Sequence, residues 1–597
     1  MRKRLVSLLM VLAMVISLCA CGKEAKPEQG NTSSPETSEN KTDSGSNTSK
    51  TESTKKDLIT IDVYSELANY SGIQGGWSAA LLEDKFGVQL NIIPRSEGTY
   101  ETRVEAGNLG DIVVWGSSGE DYQNAVNLGL LYDWEEDKLC EEYGPYIWKN
   151  MQYALQNNRE ISGDGSTIYG FGHAVAPSAD SHSAFFYTWD IRWDLYKQLG
   201  YPEIKDMDDL FDLLVKMKEI CPTDEAGEPT YALSMWPDWD GDMCMYVKCI
   251  ATTYFGYDGD VGLGHYNAKT GEFYGALDDN SPYLQMLEWT NRLYRAGLID
   301  PDSMSQTYDE MAEKLANGGI LFSVFNYAGR SGYNTLEHLN AGKAMNSLCP
   351  KNAHTLVGGM SPYGGSRIWS IGADTKYPEL CMQIINWLAT PEGAMTSLYG
   401  PKGLCWDYDS DGYIYFTELG EQTNADSKHD MTGVTYVSPE TGKSYALSSD
   451  FNSGCIQINN ITWDSAAVNL DSKHGETYDK DTWKTQLEKN FTPIQQDWVD
   501  FTGFNTTAEY FESTDYYVIP STKGYTPENK SAELTTIWKQ VTECLTQYSW
   551  KCIYAQSEGE FNYLKNEMIK KCNAYGYKDC LKFSKETAAL RFSCQVK

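Results

Sequence analysis

The sequence predicts an α/β protein built on a doubly wound parallel sheet and divided into more than one lobe. Three observations carry this. Strand-like and helix-like segments alternate from residue 58 onward, and the early strands are apolar on both faces. The third is size: 597 residues with 41% hydrophobic side chains exceed one core at roughly 100–200 residues per domain.

The elements follow in order. Leu58-Ile59-Thr60-Ile61-Asp62-Val63-Tyr64 alternates as a strand, and a glycine-rich turn leads into a helix over 77–86. Residues 87–94 read as a second strand and Gly110-Asp111-Ile112-Val113-Val114-Trp115-Gly116 as a third. Residues 207–220 form an amphipathic helix with Asp206 or Asp208 as its N-cap. Helices are expected over 281–296, closed by Gly297, over 308–316, and over 379–388, stopped by Thr390-Pro391, with a strand over 319–325. The tail beyond Pro527 reads helical, most clearly over 537–545 and 561–572. In doubly wound sheets ligands sit beyond the carboxyl ends of the strands, here Tyr64-Ser65-Glu66 and Trp115-Gly116-Ser117-Ser118.

Ahead of this body, Met1-Arg2-Lys3-Arg4 is followed by an apolar run over 5–18, too short to span about 30 Å of hydrocarbon. It reads as a secretory signal over 1–20. Leu18-Cys19-Ala20-Cys21 resembles the bacterial lipobox, which implies cleavage before Cys21 and its lipidation. Residues 22–57 contain no aromatic or branched aliphatic side chain, so 21–57 is a flexible tether with a reach of about 30 Å. No later run approaches the about 18 apolar residues of a membrane span, which leaves the lipid as the only membrane attachment.

Composition narrows the partners. With 83 Asp+Glu against 49 Lys+Arg, a net charge of −34 and no basic stripe, nucleic acid is a poor partner. An acidic surface with 13% aromatic residues suits neutral polar ligands such as sugars. Of 15 Cys, Cys19 leaves with the signal and Cys21 carries lipid; the rest show no Cys-x-x-Cys pair and no zinc-finger spacing, which argues against zinc. They read as small buried hydrophobes, with one or two disulfides among Cys544, Cys552, Cys572, Cys580 and Cys594 as the alternative.

Several segments in fixed order carry a family resemblance. After lipobox, tether and opening strand come 110–115, Gly129-Leu130-Leu131-Tyr132-Asp133-Trp134, and Trp189-Asp190-Ile191-Arg192-Trp193-Asp194 with Leu199-Gly200-Tyr201-Pro202. Then follow Tyr377-Pro378-Glu379, Ile385-Asn386-Trp387-Leu388-Ala389-Thr390-Pro391-Glu392-Gly393 and Leu398-Tyr399-Gly400-Pro401-Lys402-Gly403-Leu404-Cys405-Trp406. The order resembles the large extracellular solute-binding lipoproteins of carbohydrate ABC importers, of the family 1 type. The resemblance implies a two-lobed, periplasmic-binding-protein-like fold of type II, with lobe I from 58–170 plus 350–400 and lobe II from 171–349 plus 401–597. It also implies a monomer that closes on an oligosaccharide and passes it to ABC permease subunits at the extracytoplasmic face of the membrane.

A sugar cleft needs aromatic platforms rimmed by carboxylates, amides and guanidinium groups. The densest such cluster is Met235-Trp236-Pro237-Asp238-Trp239-Asp240-Gly241-Asp242, giving Trp236, Asp238, Trp239 and Asp240 as candidates. Trp115 at a strand end, Arg330 after Asn326-Tyr327, Arg367 with Trp369, and Tyr64, Glu66 and Trp77 near the first strand end complete the set. The net charge disfavours strongly anionic glycans unless Arg330 and Arg367 form a local positive site.

One stretch carries a metal signature. Asp407, Asp409, Asp411 and Glu418, with Gly412, satisfy the EF-hand loop spacing, which points to calcium. The flanks are not helical, and the competing reading is a hairpin with a type I′ Asp-Gly turn. Some relatives carry a calcium loop after the helix matching 207–220; here Thr223-Asp224-Glu225-Ala226-Gly227-Glu228 lacks the needed oxygen series, so no cofactor is expected there. No Walker loop, nucleophile elbow, zinc-protease or dinucleotide motif occurs, which argues against an enzyme; a secreted glycoside hydrolase or lyase is the alternative, since two carboxylates suffice.

Overall fold

A computed structural model describes residues 58–96, 98–489 and 491–596. The signal, Cys21 and the tether lie outside the described residues. The strands that position the site are, in chain order, β1 (Ile59–Ser65), β2 (Val88–Pro94), β3 (Ile112–Trp115), β4 (Phe171–Gly172), β5 (Tyr187–Arg192), β6 (Phe322–Phe325), β7 (Met345–Ser347) and β8 (Ile368–Ile371).

The first lobe is built on β1, which pairs in parallel with β2 on one side and β3 on the other, Ile59 opposite Val88 and Val63 opposite Ile112. Beyond β3 the sheet continues through β8, antiparallel to it, to β4; a two-residue strand, Gly72–Ile73, edges β2. Ile61 and Val63 of β1 pack on one face of this sheet and Tyr64 on the other, so the strand is buried on both sides. The helix expected over 77–86 runs Gly76–Phe86 and ends on Gly87, whose φ of 67° is the left-handed geometry a helix stop uses.

The second lobe has β5 between β7 and β6, all antiparallel, extended by parallel bridges Tyr231 to Ile320 and Leu233 to Ile299. Its helices match the sequence closely. Met207–Ile220 starts at Asp206, whose carboxylate accepts from the N–H groups of Asp208 and Asp209, which settles the N-cap in favour of Asp206. Tyr308–Ala316 opens with a capping box between Thr307 and Glu310. The tail forms Ala532–Ile553, Glu558–Tyr575 and Tyr577–Ser593, longer than the periodic stretches because their exposed faces carry no apolar signal.

The cores mark where the chain changes lobe. Val175 packs in the first core and Phe185 in the second; Val357 belongs to the second and Trp369 to the first; Trp483 belongs to the first and Ile494 to the second. Residues expected with lobe II from 401 on therefore divide. Cys405, Trp406, Ile414, Phe416, Trp463 and Trp483 pack in the first core, because the hairpin after Pro401 folds its apolar face under the first sheet. Only the part from Ile494 onward packs with the second lobe. Thin pairings cross between them, among them Ser183 Oγ to the Asp464 carboxylate and Gly524 N–H to Asn157 Oδ1.

The described cysteines are free thiols, most of them buried, and the disulfide alternative is not realised among them. Among the described residues no helix is long and apolar enough to cross a membrane.

One buried base gives the fold a pH signature. His265, in the strand Gly264–Tyr266, is fully buried, with Nε2 3.2 Å from the Lys248 carbonyl and no partner for Nδ1. Burial, aided by the Lys248 ammonium and opposed by the carbonyl contact, pushes its pKa down to about 4. Below an unfolded value of about 6.5 the unfolded chain takes up a proton that the folded protein refuses until about pH 4, so His265 withdraws stability as pH falls across that window, by about 3 kcal/mol at most. His265→Gln is expected to flatten the fall in melting temperature between pH 6.5 and 4; parallel slopes for the two proteins would refute the assignment.

Candidate functional site

The carboxyl ends of β1 and β3 are tied together by Glu66. Its Oε2 accepts the Gly116 N–H at 2.8 Å, and its Oε1 accepts from Arg95 Nη1 at 2.5 Å; Arg95 also reaches Asp121 at 2.5 Å. Burial raises the Glu66 carboxyl, and the Gly116 N–H and Arg95 oppose that rise. Glu66 is thus engaged in holding two strand ends in register.

The tryptophans expected around it face inward. Trp115 is fully buried, meets Tyr64, Tyr100 and Tyr122 edge-on at 5.8–6.5 Å, and donates from Nε1 to Ser370 Oγ. Tyr64 is likewise fully buried. Trp77 stacks on Phe451 at 5.7 Å and donates to its carbonyl, and Trp369 donates to the Ile461 carbonyl. All four are core side chains with no face open to a solute. For Tyr64, Trp115 and Trp369 the reason is sheet geometry: a strand covered on both faces needs a large side chain on each; Trp77 is on the buried face of the helix Gly76–Phe86.

The second lobe presents a different surface. Trp236 is buried, as an anchor, but Trp239 is 50% exposed and lies on Tyr308 at 4.8 Å with rings 23° apart. Tyr327 follows at 6.0 Å from Trp239, and Phe186, 47% exposed, at 5.4 Å from Tyr327. Trp236 supports the row from beneath, edge-on to Trp239, Tyr308 and Tyr327. Asp238 accepts the Tyr308 N–H at 3.3 Å and so ties the loop to the helix start. Asp240 is internal, accepting from Met245 N–H at 2.7 Å and Trp550 Nε1 at 2.6 Å.

The two arginines differ. Arg330 donates its N–H to buried Asp190 at 2.8 Å and a guanidinium N–H to Thr507. Asp479, Lys480 and Asp481 of the first lobe lie within its electrostatic reach. The Asp481 side chain is 48% exposed, yet the protein around it opposes ionisation; Lys480 and then Arg330 overcome this and hold the carboxyl below its usual range. Arg367 precedes Ile368, which pairs with Trp115, so it stands at the carboxyl end of β3. It is half-buried, and burial alone lowers its pKa.

Trp239, Asp238, Arg330 and Arg367 thus meet solvent or the opposing lobe, while Tyr64, Trp77, Trp115, Trp236, Trp369, Asp240 and Glu66 serve the fold. Sequence reasoning missed Phe186, Tyr308, Asp479 and Asp481 as surface. The aromatic triplet Phe185-Phe186-Tyr187 leading into β5 is the signal that could have found Phe186.

The EF-hand spacing resolves as a hairpin. Trp406–Tyr408 pairs with Ile414–Phe416, and Asp409 Oδ1 accepts the N–H groups of Asp411, Gly412 and Tyr413. The turn departs from type I′: the Gly412 N–H reaches the Asp409 carbonyl, and only Gly412, at φ 97°, is left-handed, as in a three-residue loop closed by a bulge. Glu418 starts the helix Glu418–Ala425. Among the described residues no group of three or more potential ligands is placed to hold a metal ion.

A model of the family described as "Bacterial extracellular solute-binding protein" matches residues 77–405. No curated protein matches the chain in sequence. Among solved structures it is similar to an HMO-binding, ABC-transporter-associated solute-binding protein of Bifidobacterium longum infantis, at 15% identity and TM-score 0.51, over 90% of this chain and 100% of that one. It is also similar to the alginate-binding protein AlgQ2 solved without calcium (15%, TM-score 0.56, 89% and 99%). A third is the Streptococcus pneumoniae ABC-transporter substrate-binding protein FusA in complex with kestose (15%, TM-score 0.53, 89% and 99%). The family match spans more than half of the chain, and the structural matches span most of it with the same two-lobed architecture. The chain belongs to the bacterial extracellular solute-binding proteins.

Proposed function

We propose that this protein captures an oligosaccharide between its lobes and delivers it, unaltered, to the permease subunits of an ABC importer, as a monomer held at the outer face of the membrane by lipid on Cys21. The observation that carries the sugar reading is the row Trp239, Tyr308, Tyr327 and Phe186, with its two ends half-exposed. A contiguous aromatic patch costs free energy in water unless something covers it. A pyranose does so with its C–H face, while its hydroxyls turn to a polar rim. Arg330, Asp479, Asp481 and Arg367 are charged groups suited to that rim, and the thin crossings between lobes suit hinge closure. The similar solved proteins named for HMO, alginate and kestose binding support the same class of ligand.

A glycoside hydrolase reading has one observation in its favour: burial and the neighbouring Asp481 raise Asp479, while Lys480 and Arg330 hold Asp481 low, and acid–base pairs are split in that way. Against it, Asp479 Oδ1 already accepts the Asp481 N–H as the cap of a short helical turn, so this carboxyl is committed to the backbone.

Residues 58–597 are expected to raise their melting temperature with a subset of a panel of oligosaccharides of two to six units and to return each sugar intact by mass spectrometry. Cleaved products without a stable complex would overturn the transport reading. Trp239→Ala is expected to weaken binding about tenfold, in line with the about 0.5–1.5 kcal/mol of an aromatic contact, with little change in unfolding. Trp115→Ala is expected to cost about 3–5 kcal/mol of stability instead. In the cell, Cys21→Ser should release the protein into the medium; retention at the membrane would remove the lipid anchor from this account.

A further inference from the structure

The second lobe also holds a cavity of about 230 Å³, lined by Trp239, Asp242, Met245, Lys248 and Asp260 among others. This is room for several waters or for one sugar ring. Its polar groups have capacity to spare. Asp242 gives Oδ1 to Trp538 Nε1 at 2.6 Å, and no protein group among the described residues bonds its other oxygen. Lys248 Nζ stands 3.6 Å from Asp260, beyond hydrogen-bond range, so the ammonium keeps its donors. Carboxylate acceptors beside a cation are what the hydroxyls of a sugar, each both donor and acceptor, use together.

The cavity also adjoins the aromatic row, since Trp239 belongs to both. Phe186 directly precedes β5, close to the crossing between lobes; from it the row runs to Tyr327 in a step of 5.4 Å and to Trp239 in a step of 6.0 Å, and Trp239 also lines the cavity. Trp239 gives one face to Tyr308 and is half-exposed beyond it, so it forms the boundary between row and cavity.

We propose that this cavity is the end subsite of the oligosaccharide cleft, that it seats one terminal pyranose through Lys248, Asp242 and Asp260, and that the ligand is therefore at least three units long. The proposal rests on the oligosaccharide reading above: two units lie along the aromatic row and the third passes Trp239 into the cavity. A chain of two units covers the row and leaves the cavity to water.

The experiment is calorimetry on the intact protein with length series of maltodextrins, cellodextrins, fructans, milk and N-glycan oligosaccharides of two to six units. Within a series that binds, affinity is expected to rise at least tenfold between two and three or four units and then to level off. Lys248→Met and, separately, Asp260→Asn are expected to narrow that gap to threefold or less, with unfolding midpoints measured to show that both variants fold. A length preference unchanged in both variants, or none in the parent protein, would overturn the end subsite while leaving the sugar reading standing. Failure of the parent protein to bind any series would sink both.

Discussion

Because Val175 packs in one core and Phe185 in another, the backbone between them crosses a region with too few apolar side chains to fix it rigidly. The same holds between Val357 and Trp369 and between Trp483 and Ile494. Everything functional follows from that separation. Each lobe closes its own interior, so the facing surfaces are released from the duty of burial and can carry charge and exposed rings. The few bonds that cross, such as Ser183 Oγ to Asp464 at 2.5 Å, restrain the relative motion of the lobes without welding them together.

The aromatic row illustrates how a surface can be both exposed and fixed. Trp239 and Phe186 would be free to collapse inward if the layer beneath them were soft. Trp236, Tyr246 and Phe325 fill that layer, meeting at centroid distances of 5.2–6.2 Å, and leave no space for the outer rings to enter. Asp238 and Asp240, which sequence pattern places beside the tryptophans as ligands, differ in what they do: one holds the helix start next to Trp239, and the other braces the loop against Trp550.

How far the sequence could be read follows from which physical signal each feature leaves. The early parallel strands and the helix over 207–220 are legible because burial imposes a period on the residues themselves. The candidate site was legible only in part. Trp236 and Trp239 stand three residues apart in one polar loop, and nothing local distinguishes the ring that turns inward from the one that turns out. Trp115 sits in a glycine and serine turn, which suggests exposure, yet its environment is set by Tyr100 and Tyr122, remote from the motif. Asp407 to Glu418 matches a metal loop in spacing, but spacing does not say that Asp409 will spend its oxygen on three backbone N–H groups. The segment over 405–483 returns to the first lobe through tertiary packing alone.

That return has a consequence for how the protein comes to exist. The first core is assembled from 61–175 and 369–483, and the second from 185–357 and 494–580, so the two are threaded through one another along the chain. Neither can be completed before its later half is available. Whatever the order of folding, β1 to β3 must wait until Trp406 and Trp483 are available to cover them. Contacts of such long sequence separation make folding slow and leave apolar faces open meanwhile. With only free thiols among the described residues, no covalent bridge shortens that interval.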